Sequence, residues 1–133
     1  LKGTEDESPE RRDAAGFDTK FRISPRCFGS YDGEVVVDME EIVTSTDKLS
    51  FREYLTARKY HLGYFIFWSQ GWFKDLFDFA RNEGIQHTDC IEALMKAVDA
   101  DKGQVAELFQ EFLQETEGEL FPTEEACHRP DDA

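Results

Sequence analysis

The stretch that decides the fold, residues 49–80, reads LSFREYLTARKYHLGYFIFWSQGWFKDLFDFA. It holds nine aromatic residues in the twenty positions from Tyr60 to Phe79. Its apolar side chains recur at intervals of three and four, which is the spacing of an amphipathic helix. This aromatic surface could span a membrane, form a core or contact another protein, and the surrounding sequence decides among these uses.

The start of this stretch predicts a capped helix. Ser50 and Glu53 fit the S-x-x-E capping box, in which each side chain bonds the backbone amide of the other residue. The apolar stripe behind them predicts a first helix over about 51–67. Ser69-Gln70-Gly71 then predicts a break, because its composition is typical of a turn.

Three more helices are predicted in the sequence that follows this break. The apolar stripe that follows predicts a helix over about 72–83, which ends before Gly84, a natural C-terminal cap. Capping signals and apolar spacing also predict two further helices. One covers about 89–99 and is capped by Thr88, and the other covers about 102–117 and is capped by Asp101. The C-terminal part of the chain is therefore predicted to be a four-helix bundle.

The residues before the bundle predict a small antiparallel β element over 17–45. The segment FDTKFRI alternates apolar and polar residues with the period of two of a half-buried strand. Pro25 is expected to interrupt the pairing, and Asp32-Gly33 lies between two apolar runs as a strong hairpin signal. The expected fold class is mainly α, or α+β, with the β element preceding the bundle.

The domain prediction follows from length and composition. A chain of 133 residues is expected to form one domain, which we place at 17–118. Residues 1–16 are polar and expected to be flexible, and 119–133 are expected to form an acidic tail. A chain that begins with Leu1 rather than Met fits either a processed gene product or a piece of a longer polypeptide.

The charge balance excludes two classes of partner. The chain has 29 acidic and 15 basic residues, a net charge of -14. Nucleic-acid phosphates and anionic membrane surfaces both require a Lys/Arg footprint, so neither is expected as a partner. Acidity instead favours solubility or a basic protein partner.

The aromatic run is too short to span a membrane. Its longest uncharged stretch, from Leu62 to Phe73, has twelve residues, whereas a membrane-spanning helix needs about twenty. Helical spacing predicts Phe65, Phe73 and Phe77 as core residues. The remaining rings do not fit the same stripes and predict either a second buried face or a docking surface: Tyr60, Tyr64, Phe67, Trp68 and Phe79.

No residue pattern predicts a reaction centre in this chain. Cys27, Cys90 and Cys127 are odd in number and far apart, so they predict neither a disulfide framework nor a metal site, and a cytoplasmic location is the default. His87 and Cys90 form only a weak nucleophile pair, since no third group orients them. Acidic pairs such as Glu40-Glu41 are expected on a solvated face.

The succession RCFGSYDGEVVVDMEEIVTST and LSFREYLTARKYHLGYFIFWSQGWFKDLFDFARNEGI resembles the region that follows the catalytic barrel in cobalamin-binding radical SAM proteins. That group of iron–sulfur oxidoreductases includes the anaerobic magnesium-protoporphyrin IX monomethyl ester oxidative cyclase type. The likeness covers about residues 21–86. It is carried by an EEIV stretch, a capped helix with Arg58 and His61, a polar turn and an aromatic second helix. The turn sequence FWSQGW is bulkier than the family pattern.

The resemblance implies a parent enzyme with a four-iron cluster, S-adenosylmethionine and cobalamin. The cluster motif of such enzymes, CxxxCxxC, is absent from this chain, so no catalytic, cofactor-binding or metal-binding residue is assigned. The chain itself would be a non-catalytic helical domain that braces or covers the radical SAM barrel and shapes substrate access. The residues expected at that interface are Arg58, His61, Tyr64, Trp68 and Trp72. An exposed aromatic face would also allow the isolated chain to self-associate.

Two other functional classes stay open. A stand-alone acidic interaction or regulatory protein would present its carboxylates to a basic partner on one continuous face. A small hydrolase would need a preformed cleft with convergent titratable groups around His87 and Cys90.

Overall fold

The computed structural model describes residues 3–128, so residues 129–133 of the predicted tail lie outside it. The chain is mainly helical with a small antiparallel β element, which confirms the predicted fold class at this level. The strands are β1 (Asp18–Tyr31) and β2 (Glu34–Ser45). The helices are α1 (Pro9–Ala15), α2 (Phe51–Tyr64), α3 (Lys74–Asn82), α4 (His87–Ala100), α5 (Gln104–Gly118) and α6 (Glu124–His128). A 3₁₀ turn at Glu5–Glu7 and a π-helix at Phe65–Ser69 complete the secondary structure.

The chain divides into two compact units. The first comprises residues 1–54 and 115–133, and the second comprises 55–114. The first unit therefore contains the β element together with α1 and α6, and the second contains α3, α4 and most of α2 and α5. The sequence predicts a single domain over 17–118, whereas the structure joins segments on both sides of that range in the first unit.

The hairpin of the first unit turns at the predicted dipeptide. Tyr31 pairs with Glu34 across the two turn residues. Asp32 has a φ of 52° and Gly33 a φ of 88°, so both adopt the left-handed region that a type I′ turn requires. The hairpin signal in the sequence is confirmed.

Pro25 lies in an irregular part of β1, as predicted. Ile23 pairs with Met39 and Phe28 pairs with Val37, so residues 24–27 stand opposite the single residue Asp38. A proline has no N–H to donate to a strand partner and is tolerated where the ladder is broken. The sequence signal therefore marks a bulge inside a continuous hairpin.

Two arginines neutralise the acidic pair of β2. Arg12 of α1 donates two hydrogen bonds to the Glu41 carboxylate, at 2.7 and 2.6 Å. Arg22 of β1 donates to Glu40 at 2.6 Å and to Glu119 at 2.8 Å. The expectation of a purely solvated acidic face is wrong here, because successive strand residues point to opposite faces and each glutamate meets its own arginine.

The predicted terminal segments contribute to the first unit. Residues 1–16, expected to be flexible, include α1, whose C-terminal end bonds to Asp47 through the Ala15 carbonyl. Phe121, in the predicted acidic tail, forms an isolated bridge with Phe21 of β1 through backbone hydrogen bonds of 2.9 and 2.7 Å. These contacts attach both segments to the hairpin.

The capping box at the start of α2 is confirmed. The Ser50 amide donates to Glu53 Oε2 at 2.8 Å, and the Glu53 amide donates to Ser50 Oγ at 3.3 Å. The hydrogen bonds from Ser50 lower the pKa of Glu53, since they favour its charged form. The carboxylate is therefore held ionised at the helix start.

The other predicted helix ends are less accurate. Helix α4 begins at His87 behind the N-cap residue Gln86, so the prediction of Thr88 as a cap is wrong. Helix α5 begins at Gln104, which makes Gly103 rather than Asp101 the preceding residue. Gly84 lies just beyond α3 with a φ of 79°, as expected of a C-terminal glycine.

The core of the second unit is built on α4. Its buried cluster consists of Phe77, Ile91, Met95, Val98 and Phe109. Gly63 of α2 lies directly against it, because a Cβ atom at this position would stand only 2.4 Å from the Met95 sulfur. A glycine is thus what allows α2 to approach α4 so closely.

Candidate docking surface

A π-helix follows α2 and changes the direction in which the side chains after it point. It covers Phe65–Ser69, and the Gln70 amide bonds the Phe65 carbonyl five residues earlier, at 3.3 Å. One such turn holds an additional residue, which shifts the α-helical stripe out of phase. Phe65 and Phe73 are both exposed, so the prediction of these two as core residues is wrong, whereas Phe77 is buried as predicted.

Six large apolar residues in the segment 65–79 are each more than a third exposed, and we refer to them together as the aromatic surface. They are Phe65 (50% exposed), Trp68 (42%), Trp72 (73%), Phe73 (38%), Leu76 (49%) and Phe79 (63%).

The outer face of α3 supplies an ordered part of this surface. Leu76 and Phe79 are three residues apart and share one side of α3, and Trp72 lies in the turn just before the helix. Phe77 and Ala80, on the adjacent side of the helix, are buried. Helix α3 is therefore apolar on two faces, and only one of them is covered in this chain.

Other rings of the aromatic run pack inward. Tyr60, Tyr64 and Phe67 contact the buried cluster of the second unit. The Phe67 ring stacks on Phe109 with a centroid separation of 6.4 Å. The surplus rings of the sequence are therefore divided between two environments: Tyr60, Tyr64 and Phe67 pack inward, whereas Trp68 and Phe79 are exposed.

Trp68 is held in place although it is partly exposed. Its indole stacks on His87 with a centroid distance of 4.9 Å and an interplanar angle of 29°. The Phe77 ring stands nearly perpendicular to it, with a centroid distance of 5.0 Å and an interplanar angle of 86°. No local sequence pattern predicts the contact with His87, because that residue lies at the start of α4, beyond the turn.

The five residues predicted at an interface do not form one site. Trp68 and Trp72 belong to the aromatic surface and His61 is exposed, whereas Tyr64 packs against the core. The Arg58 guanidinium lies 5.5 Å from the centroid of the Phe112 ring, and its Nε is buried without a hydrogen-bond partner. Their role at an interface stays a prediction.

The residues of the weak nucleophile pair occupy different surroundings. His87 lines a small cleft with Trp68 and Arg81, whereas Cys90 packs against the buried cluster. Cys127 is buried, which raises the pKa of its thiol and keeps it protonated. Within residues 3–128, no three His, Cys, Asp or Glu side chains are grouped so that they could hold a metal ion.

In comparisons with known proteins, no family model, no curated protein and no solved structure matches this chain. Across the part of the chain that the structure describes, no helix has the length and apolar character needed to cross a membrane.

Proposed function

We propose that this chain is a non-catalytic helical domain that packs its aromatic surface against a larger protein. The observation that carries the proposal is the exposed side of α3 with Leu76 and Phe79, together with the exposed Trp72 in the turn before it. Large exposed apolar patches mark interaction sites, and tryptophan and other aromatic residues dominate the binding energy of interfaces.

The exposed side chains of this surface would contribute favourable free energy if they were buried by a partner. Burying one large apolar side chain completely contributes about 1.5–3 kcal/mol. Several such residues spaced along one helix side match the helix-in-groove mode of recognition, in which anchors at intervals of three and four enter an apolar groove. We expect Trp72, Leu76 and Phe79 to be the anchors.

The partner we propose is a radical SAM barrel in the same polypeptide, on the strength of the resemblance over residues 21–86. The four predicted helices, now α2 to α5, would form the bundle that braces or covers the barrel and shapes substrate access. The four-iron cluster, S-adenosylmethionine and cobalamin would be held by the parent oxidoreductase in the cytoplasm, not by residues of this chain.

The competing proposal of an acidic regulator receives less support. Glu40, Glu41 and Glu119 are engaged by Arg12 and Arg22, so these carboxylates are not free to meet a basic partner. An acidic regulator also gives no reason for the exposure of Phe79 and Trp72. The aromatic surface favours apolar docking.

The identity of the partner is tested by the reading frame upstream of the codon for Leu1. We expect this frame to continue into a sequence that encodes CxxxCxxC. A frame that starts at Leu1, with no such motif before it, would overturn the radical SAM assignment and leave docking on another protein as the proposal.

The docking surface is tested with the upstream domain expressed as a separate chain. Leu76→Ser and Phe79→Ser should each weaken its binding by roughly tenfold or more, the scale of a hot-spot truncation. Leu108→Ser is a matched control, because Leu108 is also a helical leucine that is 49% exposed, on α5. Equal losses for Leu76→Ser and Leu108→Ser would contradict docking through the aromatic surface.

A further inference from the structure

A cleft of about 440 Å³ opens beside the aromatic surface. One wall is the π-helix and its turn, with the Trp68 indole and Ser69, and the other is α3, with Lys74, Asp78 and Arg81. The Phe77 ring also lines it. This volume falls in the range of pockets that hold small organic ligands.

The apolar wall of this cleft is preorganised for stacking. Trp68 also lines a second, smaller cleft, and its contacts with His87 and Phe77 limit its rotation. The part of this fixed indole that is open to the larger cleft offers apolar aromatic surface to a planar ring. A ligand that stacks there needs little reordering of the protein.

The opposite wall carries two cations and one carboxylate. Lys74, Asp78 and Arg81 follow one side of α3, and Asp78 accepts from both the Lys74 ammonium and the Arg81 guanidinium. The hydrogen bond from Lys74 lowers the pKa of Asp78, so this carboxylate is ionised at neutral pH. The wall therefore has a net charge of +1, in a chain whose total charge is -14.

Both cations retain donors for a ligand. An ammonium has three N–H donors and a guanidinium has five, and the structure shows each of them bonded to Asp78. Asp78 holds the two side chains on the same side of the helix as the cleft. An anionic group in the cleft could therefore accept from one or both of them.

We propose that this cleft binds a planar aromatic anion, with its ring against Trp68 and its anionic group on Lys74 and Arg81. The flat indole selects a ring over an aliphatic group, and the net positive wall selects an anion over a neutral or cationic ligand. This inference goes beyond the proposed docking function, because it concerns a small ligand and holds whether or not the chain binds a larger protein.

Three small probes separate the two parts of the recognition. Naphthalene-2-sulfonate has both a ring and an anionic group, naphthalene-2-methanol lacks the charge, and cyclohexanesulfonate lacks the aromatic ring. The reporter is Trp68 fluorescence in a Trp72→Phe chain, where Trp68 is the remaining one of the two tryptophans. We expect naphthalene-2-sulfonate to bind most tightly. Equal affinity for all three probes, or no binding of the first at millimolar concentration, would overturn the proposal.

Charge substitutions then locate the binding site. Lys74→Gln and Arg81→Gln should each weaken naphthalene-2-sulfonate binding roughly fivefold, the effect of removing one exposed charge contact. Asp78→Asn should strengthen it, because the competing carboxylate charge is lost. Lys96→Gln is the matched control, since Lys96 pairs with Glu92 on α4 with the same spacing of four residues and lies outside the cleft.

The sign of the Asp78 effect makes the test specific. Simple apolar adsorption to the aromatic surface predicts no change for Asp78→Asn and none for Arg81→Gln, and that result would refute an anion site. Lys74 and Arg81 are both more than 70% exposed, so their substitution is not expected to unfold the chain. A urea denaturation curve of each variant checks this.

Discussion

Gly63 determines how closely α2 approaches α4. A methyl group there would stand 2.4 Å from the Met95 sulfur, and Met95 is almost completely buried. Gly63→Ala should therefore lower the free energy of unfolding by about 1–3 kcal/mol, the usual cost of overpacking a core. The midpoint and slope of urea denaturation measure this change.

Gly118→Ala is the control for this substitution. A Cβ atom at Gly118, the last residue of α5, meets nothing within 4 Å. Its effect should stay within about 1 kcal/mol of wild type. In a Met95→Ala background the cost of Gly63→Ala should largely disappear, and an undiminished cost would show that contact with Met95 is not its cause.

The Arg12–Glu41 pair should make stability depend on pH. The hydrogen bonds from Arg12 lower the pKa of Glu41 below its ordinary value, so folding favours the ionised carboxylate. This contribution is present above the ordinary glutamate pKa of about 4.3 and is lost as the pH falls through the lower folded value. Glu41→Gln should cost about 1–3 kcal/mol at pH 7 and progressively less below pH 4.

Glu92→Gln is the control, because it tests whether the loss of an exposed ion pair also gives a pH-dependent loss of stability. Glu92 meets Lys96 at 3.4 Å, and both side chains are largely exposed. Such pairs contribute only about 0–1 kcal/mol, so the substitution should change the unfolding curve little at any pH. A cost for Glu41→Gln that does not shrink in acid would show that packing, not charge, explains it.

The two helix starts with candidate caps should respond differently to the same substitution. Ser50 bonds the Glu53 amide, so Ser50→Ala should destabilise the protein by about 0.5–2 kcal/mol. Thr88 lies inside α4, behind the N-cap residue Gln86, so Thr88→Ala should cost far less. Thermal or urea unfolding of both variants measures the difference, and a larger loss for Thr88→Ala would contradict the assignment of the caps.

The elements that the sequence predicts well are those with local causes. The capping box of Ser50 and Glu53 and the turn at Asp32-Gly33 each depend on neighbouring residues alone. The π-helix at Phe65–Ser69 has no such signal, because its residues are as apolar as those of an ordinary buried helix turn. The apolar spacing therefore predicts Phe65 and Phe73 as core residues, although both are exposed.

The candidate site is also predicted only in part, because only some of its features depend on neighbouring residues in the sequence. The surplus rings of the sequence include Trp68 and Phe79, and both are exposed. The exposure of Leu76 is not predicted, because an apolar helix side looks the same in a sequence whether it is covered or open. The contact of Trp68 with His87 joins residues of different helical segments, which no local pattern encodes.

At the scale of the whole molecule, burial is unequal between the two units. The second unit contains Phe77, Ile91, Met95, Val98 and Phe109 as buried apolar residues, whereas the buried side chains of the first are Thr44, Thr116 and Cys127. We expect amide hydrogen exchange to be slowest in α4 and fastest, among regular elements, at the tip of the hairpin around Val35. Exchange followed by mass spectrometry or NMR measures this.

The ion pairs give the first unit a different source of order. Arg22 connects β1 with β2 and with Glu119, near the end of α5. Charge pairs of this kind contribute less to stability than the burial of apolar side chains. Amide exchange should therefore be slower in the second unit, which buries more apolar side chains, than in the first. Equal protection of Val35 and Met95 would show that the hairpin is stabilised by something other than its own contacts.

Because the π-helix contains an additional residue, the number of residues between Phe65 and Ser69 determines the direction of the following side chains as much as their identity does. Each residue of an α-helix advances the chain by about 100° around the axis, so deleting one residue here would restore α geometry and rotate everything that follows by that angle. Trp68 would leave His87, and α3 would turn its open side elsewhere. Substitutions in this segment change single contacts, whereas an insertion or deletion would rearrange the docking surface and the cleft together.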